Sequence, residues 1–214
     1  MSHLEICDAL FADRPKLQIK ANSLIPKVAK QFKKERKFPA WKWAEYTHQQ
    51  SQNRYLISFY APTPAFTDKP EIHFLAFMEE DRQKIVIQFG CWMYRKHGTL
   101  DAISTRYIGY FSGHFFSRYR ERVWKDVDMS YNELLSRYFS RNIATIPLEL
   151  NEDIQRNYKE YGELARYAFQ VPDGTCFIRH WNEGDETTVG QKDSDFISVV
   201  LYYTFVNGGM MTET

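Results

Sequence analysis

RYLISFYAPTPAFTDKPEIHFLAFMEEDRQKIVIQFGCWMY, residues 54–94, decides the fold. It holds three short runs rich in aromatic and branched residues: 54–61, 71–79 and 84–94. Such side chains suit the pleated, half-buried surface of a strand. The first two runs are separated by PTPAFTDKP, whose three prolines rule out a continuing strand or helix. The second and third are separated by EEDRQ (79–83), a polar turn. Three strands joined by short connections predict an antiparallel meander.

On the N-terminal side, SLIPKVAKQFKKERKF (23–38) reads as a helix. Ser23 is a candidate cap, Pro26 falls in the first turn, and Leu24, Ile25, Val28 and Phe32 share a helical face. Pro39 ends it, and Trp41 and Trp43 follow in an extended or irregular piece. On the C-terminal side, TRYIGYF (105–111) predicts a fourth strand, and a helix is expected over 114–125. SYNELLSRYFSRN (130–142) then carries an S-x-x-E start and one apolar face made by Tyr131, Leu134, Leu135, Tyr138 and Phe139. A shorter helix is expected over 151–162, and strands over 164–171, 175–181, weakly 186–190, and 195–206. Segregated runs of strands and helices predict an α+β fold, with antiparallel sheet and helices packed on it. A boundary near 97–104 separates residues 1–100, a basic helix plus meander, from residues 101–214, helices followed by antiparallel strands; one continuous domain is the other reading.

Composition sets the class. The chain has 214 residues, 43% hydrophobic and 16% aromatic, which is enough for an ordinary core. Net charge is +1, but it is unevenly spread. Residues 1–60 hold eleven Lys/Arg against five Asp/Glu, whereas 151–214 hold five against eleven. A basic start suits an anionic partner, or simply faces the acidic end or solvent. The three cysteines, Cys7, Cys91 and Cys176, lie far apart and read as buried free thiols of a reducing compartment. The start MSHLEICDALFADRP lacks the pattern of a secretory signal, and no apolar run reaches the length of a membrane span. A soluble, cytoplasmic protein without membrane attachment is expected.

YFSGHFFSRYRERVWKD (110–126) carries the chemistry. On a helix wheel with His114 at 0°, Glu121 falls near about −20°, Lys125 near 20°, Arg118 near 40° and Arg122 near 80°. Phe115, Phe116, Tyr119 and Val123 cover the neighbouring arc of roughly 100–200°. The aromatics anchor the helix, and a stripe of one imidazole, two guanidiniums and one ammonium runs beside them. That stripe suits a phosphate, because Arg binds it bidentately and Lys adds a point charge. The plainer reading pairs Arg118 and Lys125 with Glu121 at helical spacing and leaves a solvated face.

His114, Arg118 and Arg122, preceded by Ser112 and followed by an S-x-x-E-L helix, resemble the S-x-H-A-x-x-R-x-x-x-R-G-I motif of small bacterial RNase-like domains of the barnase, EndoU, colicin and RelE-type toxin superfamily. The resemblance spans 105–206. It departs at Phe115-Phe116, where the motif has a small residue, and at Val123-Trp124, where it has Gly-Ile. It implies metal-independent cleavage of an RNA phosphodiester. His114 would be the general acid or base, a role contributing typically about 10²–10⁴-fold. Arg118 and Arg122 would hold the phosphate and its transition-state charge. Such domains place a polar residue on the last strand, a role open to Thr204, or to His180 or Arg179, of which only one can face the site.

No cofactor is expected. The six histidines are dispersed, and no H-E-x-x-H, C-x-x-C, phosphate-binding glycine loop or G-x-S-x-G elbow is present. The alternative to an RNase is a non-catalytic domain that binds nucleic acid or a protein, with the His/Arg helix structural. The basic segment 27–37 followed by Trp41 and Trp43 would then bind nucleic acid by charge and stacking, or the aromatics of the strands would present a patch to a protein.

Overall fold

The computed structural model describes residues 2–80, 83–95, 102–148, 167–181 and 197–207. The expected helix over 151–162, the weak strand over 186–190 and the tail 208–214 lie outside the described residues. The chain begins with one long helix, α1 (His3–Phe32), of about 45 Å at 1.5 Å per residue. The S-x-x-E signal that starts it is Ser2 to Glu5: Ser2 Oγ accepts from Glu5 N, and the Glu5 carboxylate accepts from Ser2 N. The expected cap, Ser23, is instead mid-helix, where its hydroxyl donates to the Lys20 carbonyl at 2.7 Å. Pro15 and Pro26 are carried inside the helix. Burial of Cys7, Leu10, Leu17, Ala21, Val28 and Phe32 along one stripe holds it against the sheet, and that tertiary packing outweighs the prolines.

Among the described residues, nine strands form one sheet. The first five are β1 (Ala40–Thr47), β2 (Arg54–Ala61), β3 (Glu71–Glu80), β4 (Gln83–Arg95) and β5 (Ala102–Phe111), an antiparallel meander that contains the three predicted strands. The tryptophans 41 and 43 therefore stand on a regular edge strand. After β5 come α2 (Gly113–Val123) and α3 (Tyr131–Arg141), then β6 (Ile146–Leu148), β7 (Tyr167–Val171), β8 (Gly174–Trp181) and β9 (Ile197–Asn207), a second antiparallel meander. The spatial order is β1-β2-β3-β4-β5-β9-β8-β7-β6, and a parallel pairing of β5 with β9 joins the two meanders. The fold is α+β, and a single sheet runs through both halves of the chain.

Alternation along β5 separates the two faces. Ile108 and Tyr110 pack with Cys7, Leu10 and Leu17 of α1, whereas Tyr107 and Phe111 pack with Phe115, Phe116, Tyr119, Leu134 and Leu135 of α2 and α3. The α2/α3 side is an aromatic core. Phe111 stacks on Tyr202 with centroids 3.9 Å apart, and Phe115, Phe116 and Tyr138 meet edge to face. The S-x-x-E start of α3 is half formed: Ser130 Oγ accepts from Glu133 N, while the Glu133 carboxylate accepts from Arg137 at 2.7 Å.

The Pro172-Asp173-Gly174 turn is pinned to both helices. Asp173 accepts from Tyr119 OH (2.7 Å), Arg141 Nη2 (2.5 Å) and Asn142 Nδ2 (3.1 Å). Burial pushes its carboxyl upward, but these donors outweigh burial and hold it below the usual carboxylate range. Gly174 has φ +156°, and a Cβ there would meet the Val206 carbonyl oxygen at 2.2 Å, so only glycine closes this hairpin.

Cys7 and Cys176 are buried free thiols, pushed by burial to about 11 and about 12. Cys91 departs from the expectation: it is exposed on β4.

Candidate functional site

Ser112 starts α2 by accepting from Phe115 N at 3.2 Å. That cap fixes the helix phase and sends Phe115, Phe116 and Tyr119 into the core. His114 is consequently left exposed in the first turn. The first turn of α3 arrives beside it. Lys84 of β4, Gly113, His114 and Tyr131 line an open hollow of about 470 Å³. An adjoining hollow of about 430 Å³ shares Lys84 and Tyr131 and continues across the sheet past Arg54, Phe77, Glu79 and Asn132 to Glu45. The two form a groove roofed by the starts of α2 and α3.

The groove has a cationic end and a mixed end. Among the described residues, Lys84 and the His114 imidazole are engaged by no hydrogen bond or ion pair. The Tyr131 hydroxyl is buried without a partner among the described residues, and burial pushes its pKa up to about 12. At the other end Glu45 accepts from Asn132 Nδ2 at 2.8 Å. Glu79 sits directly opposite Lys84 in the β3–β4 register.

The other candidate residues lie elsewhere. Arg118 donates to Glu121 at 2.9 Å, the i,i+3 pair that the plainer reading foresaw. Arg122 donates to the carbonyl of Phe205 and thereby ties α2 to β9. Neither guanidinium lines the hollow that holds His114. Thr204 is 8% exposed, within β9 opposite Phe177. His180 stands opposite Val200 on β8, and its side chain lies outside the described residues. The structure thus brings His114 to an open hollow and takes Arg118, Arg122 and Thr204 away from it, because α2 is clamped to β9 by Arg122 on one flank and roofs the hollow only with its first turn.

Lys84 and Tyr131 were not singled out from the sequence. Each had a local signal, since Lys84 opens the strand after the EEDRQ turn and Tyr131 follows the Ser130 cap. Their meeting depends on β4 and α3 being brought together by the sheet, since the two residues are 47 positions apart.

The tryptophans are used in packing. Trp41 Nε1 donates to Ser140 Oγ at 2.7 Å, and Arg137 is sandwiched between the rings of Trp41 (4.8 Å) and Trp124 (4.6 Å). Trp43 packs against the α2/α3 core. The basic residues are not used in this way. Arg14, Lys16, Lys27 and Lys30 of α1 are exposed, as are Lys33, Lys34, Arg36 and Lys37 just beyond it. Of these, Lys33 pairs with Asp68 at 2.7 Å, and the nearby Glu35 is taken by Lys42.

Among the described residues, no three His, Cys, Asp or Glu are grouped to hold a metal ion, and no helix is long and apolar enough to cross a membrane. No protein-family model, no curated protein and no solved structure matches this chain.

Proposed function

We propose that this chain is a non-catalytic nucleic-acid-binding domain that holds phosphate backbone along the end of α1 and the residues just beyond it. The observation that carries the reading is the exposed run of Lys27, Lys30, Lys34, Arg36 and Lys37, whose neighbouring carboxylates, Glu35 and Asp68, are already paired with Lys42 and Lys33. A row of cations whose neighbouring acids are already neutralised attracts a polyanion by releasing its counterions. Recognition is by charge rather than by base stacking, since Trp41 and Trp43 are spent on α3 and the core.

The test is binding of a labelled single-stranded RNA across a salt series. Wild type should bind at low salt, with log affinity falling linearly against log salt. The triple variant Lys27→Gln, Lys30→Gln, Lys34→Gln should lose roughly 2–3 units of that slope, at about 0.7–0.9 per phosphate contact. Absence of binding at low salt, or an unchanged slope in the variant, removes the reading.

A second reading is favoured by one observation, the open imidazole of His114 beside Lys84. It is metal-independent RNA cleavage with His114 as general acid or base. Total RNA incubated with chelator and either wild type or His114→Ala decides it. Equal cleavage by both, or none by either, removes the enzymatic reading.

A further inference from the structure

We infer that the groove roofed by α2 and α3 is a binding site for a small phosphomonoester whose body carries hydroxyl or amino groups. The inference needs neither RNA cleavage nor the α1 ridge, which lies on the opposite face of the sheet. Two side chains line the cationic end from two elements, Lys84 from β4 and His114 from α2, with Tyr131 of α3 as a wall. Among the described residues neither Lys84 nor His114 is engaged by a protein hydrogen bond or ion pair, so both are open to a ligand anion. A doubly charged phosphate with three acceptor oxygens draws more from such donors than a singly charged carboxylate does.

The second hollow sets the rest of the ligand. It shares Lys84 and Tyr131 with the first, and its volume of about 430 Å³ falls in the range of small-molecule pockets. Its walls offer the carboxylate of Glu79, directly opposite Lys84, then Phe77 and, at the far end, the carboxylate of Glu45. Carboxylates there disfavour a second anionic group and favour a body bearing O–H or N–H donors. A sugar phosphate or mononucleotide has both ends in the required order. An extended polyanion does not, because its next phosphate would fall among the carboxylates.

Ribose 5-phosphate, ribose and succinate are the probes, titrated into the full chain by calorimetry, with the His114 ring resonance followed by NMR. Ribose 5-phosphate should bind and shift the His114 resonance, while ribose and succinate bind at least tenfold more weakly. Lys84→Met should weaken ribose 5-phosphate at least tenfold, and His114→Ala should weaken it severalfold. The triple α1 variant should leave it unchanged. Lys84 is exposed, so its replacement does not endanger folding. Failure of ribose 5-phosphate to bind wild type overturns the inference, as does undiminished binding by Lys84→Met. Loss on changing α1 places the phosphate on the ridge and overturns it too, and so does preference for succinate.

Discussion

The phenol of Tyr55 donates a 2.7 Å hydrogen bond to Asp13 Oδ2, deep between α1 and the sheet. The same oxygen accepts from Ser51 Oγ (2.5 Å) and Asn53 Nδ2 (3.0 Å), and His48 Nδ1 lies 3.2 Å from Asp13 Oδ1. One carboxylate on the apolar stripe of α1 therefore organises the whole β1–β2 connection. Asp13 is 4% exposed, which no residue of its charge would be without such partners.

Burial pushes the Asp13 carboxyl upward, yet the bonds from Ser51, Tyr55 and Asn53 outweigh burial and hold it below its ordinary value of 3.8. A carboxyl depressed on folding contributes stability that is present in full above the ordinary value and is lost as pH falls through the folded one. Asp173 behaves in the same way. Stability measured by urea denaturation should thus fall as pH drops below about 4. Asp13→Ala should remove about 3 kcal/mol at pH 7 by leaving buried donors unpaired, and should flatten the acid dependence. A variant with wild-type stability and an unchanged acid limb would contradict this role for Asp13.

Gly109 is a site of close approach on β5. A Cβ there would stand 2.2 Å from the Tyr107 hydroxyl and 3.1 Å from the Tyr202 ring. Those two hydroxyls lie 3.1 Å apart in the core. Gly109→Ala should destabilise the chain by about 1–3 kcal/mol through overpacking, read as a lowered denaturation midpoint. A neutral outcome would mean that the Tyr107 ring swings aside freely.

The two arginines of α2 should separate in a stability assay. Arg118 makes an exposed ion pair, and Arg118→Ala should change stability by less than about 0.5 kcal/mol. Arg122 binds a main-chain carbonyl of β9, so Arg122→Ala should cost about 1–2 kcal/mol. Equal effects from the two would argue against the clamp between α2 and β9.

Thiol labelling checks the cysteine assignments. In the native state one thiol, Cys91, should react promptly with an aromatic disulfide reagent, while Cys7 and Cys176 react only after denaturation in urea. Mass spectrometry of the labelled peptides identifies which has reacted; early modification of Cys176 would place it outside the core described for it.

What was legible in the sequence was local. Runs of aromatic and branched residues located β2, β3, β4 and much of β5, and the S-x-x-E pattern located α3, because strand preference and capping act within a few residues. The same capping signal stood at Ser2 and Glu5, but the prolines at 15 and 26 and the polar Asp13 concealed a 30-residue helix. Those local penalties are outweighed by a buried stripe whose existence depends on the sheet beneath it. Beside His114, the three companions proposed from the helix wheel gave way to Lys84 and Tyr131, since the wheel fixes directions around one axis and says nothing of neighbours. The sequence alone determined the α+β class and the place of His114 at a helix start, through short-range residue patterns and capping. Tertiary structure alone decided that β5 pairs in parallel with β9, that Arg122 clamps β9, and that two helix starts and Lys84 enclose one groove, because burial and long-range strand pairing act between residues that no local pattern connects.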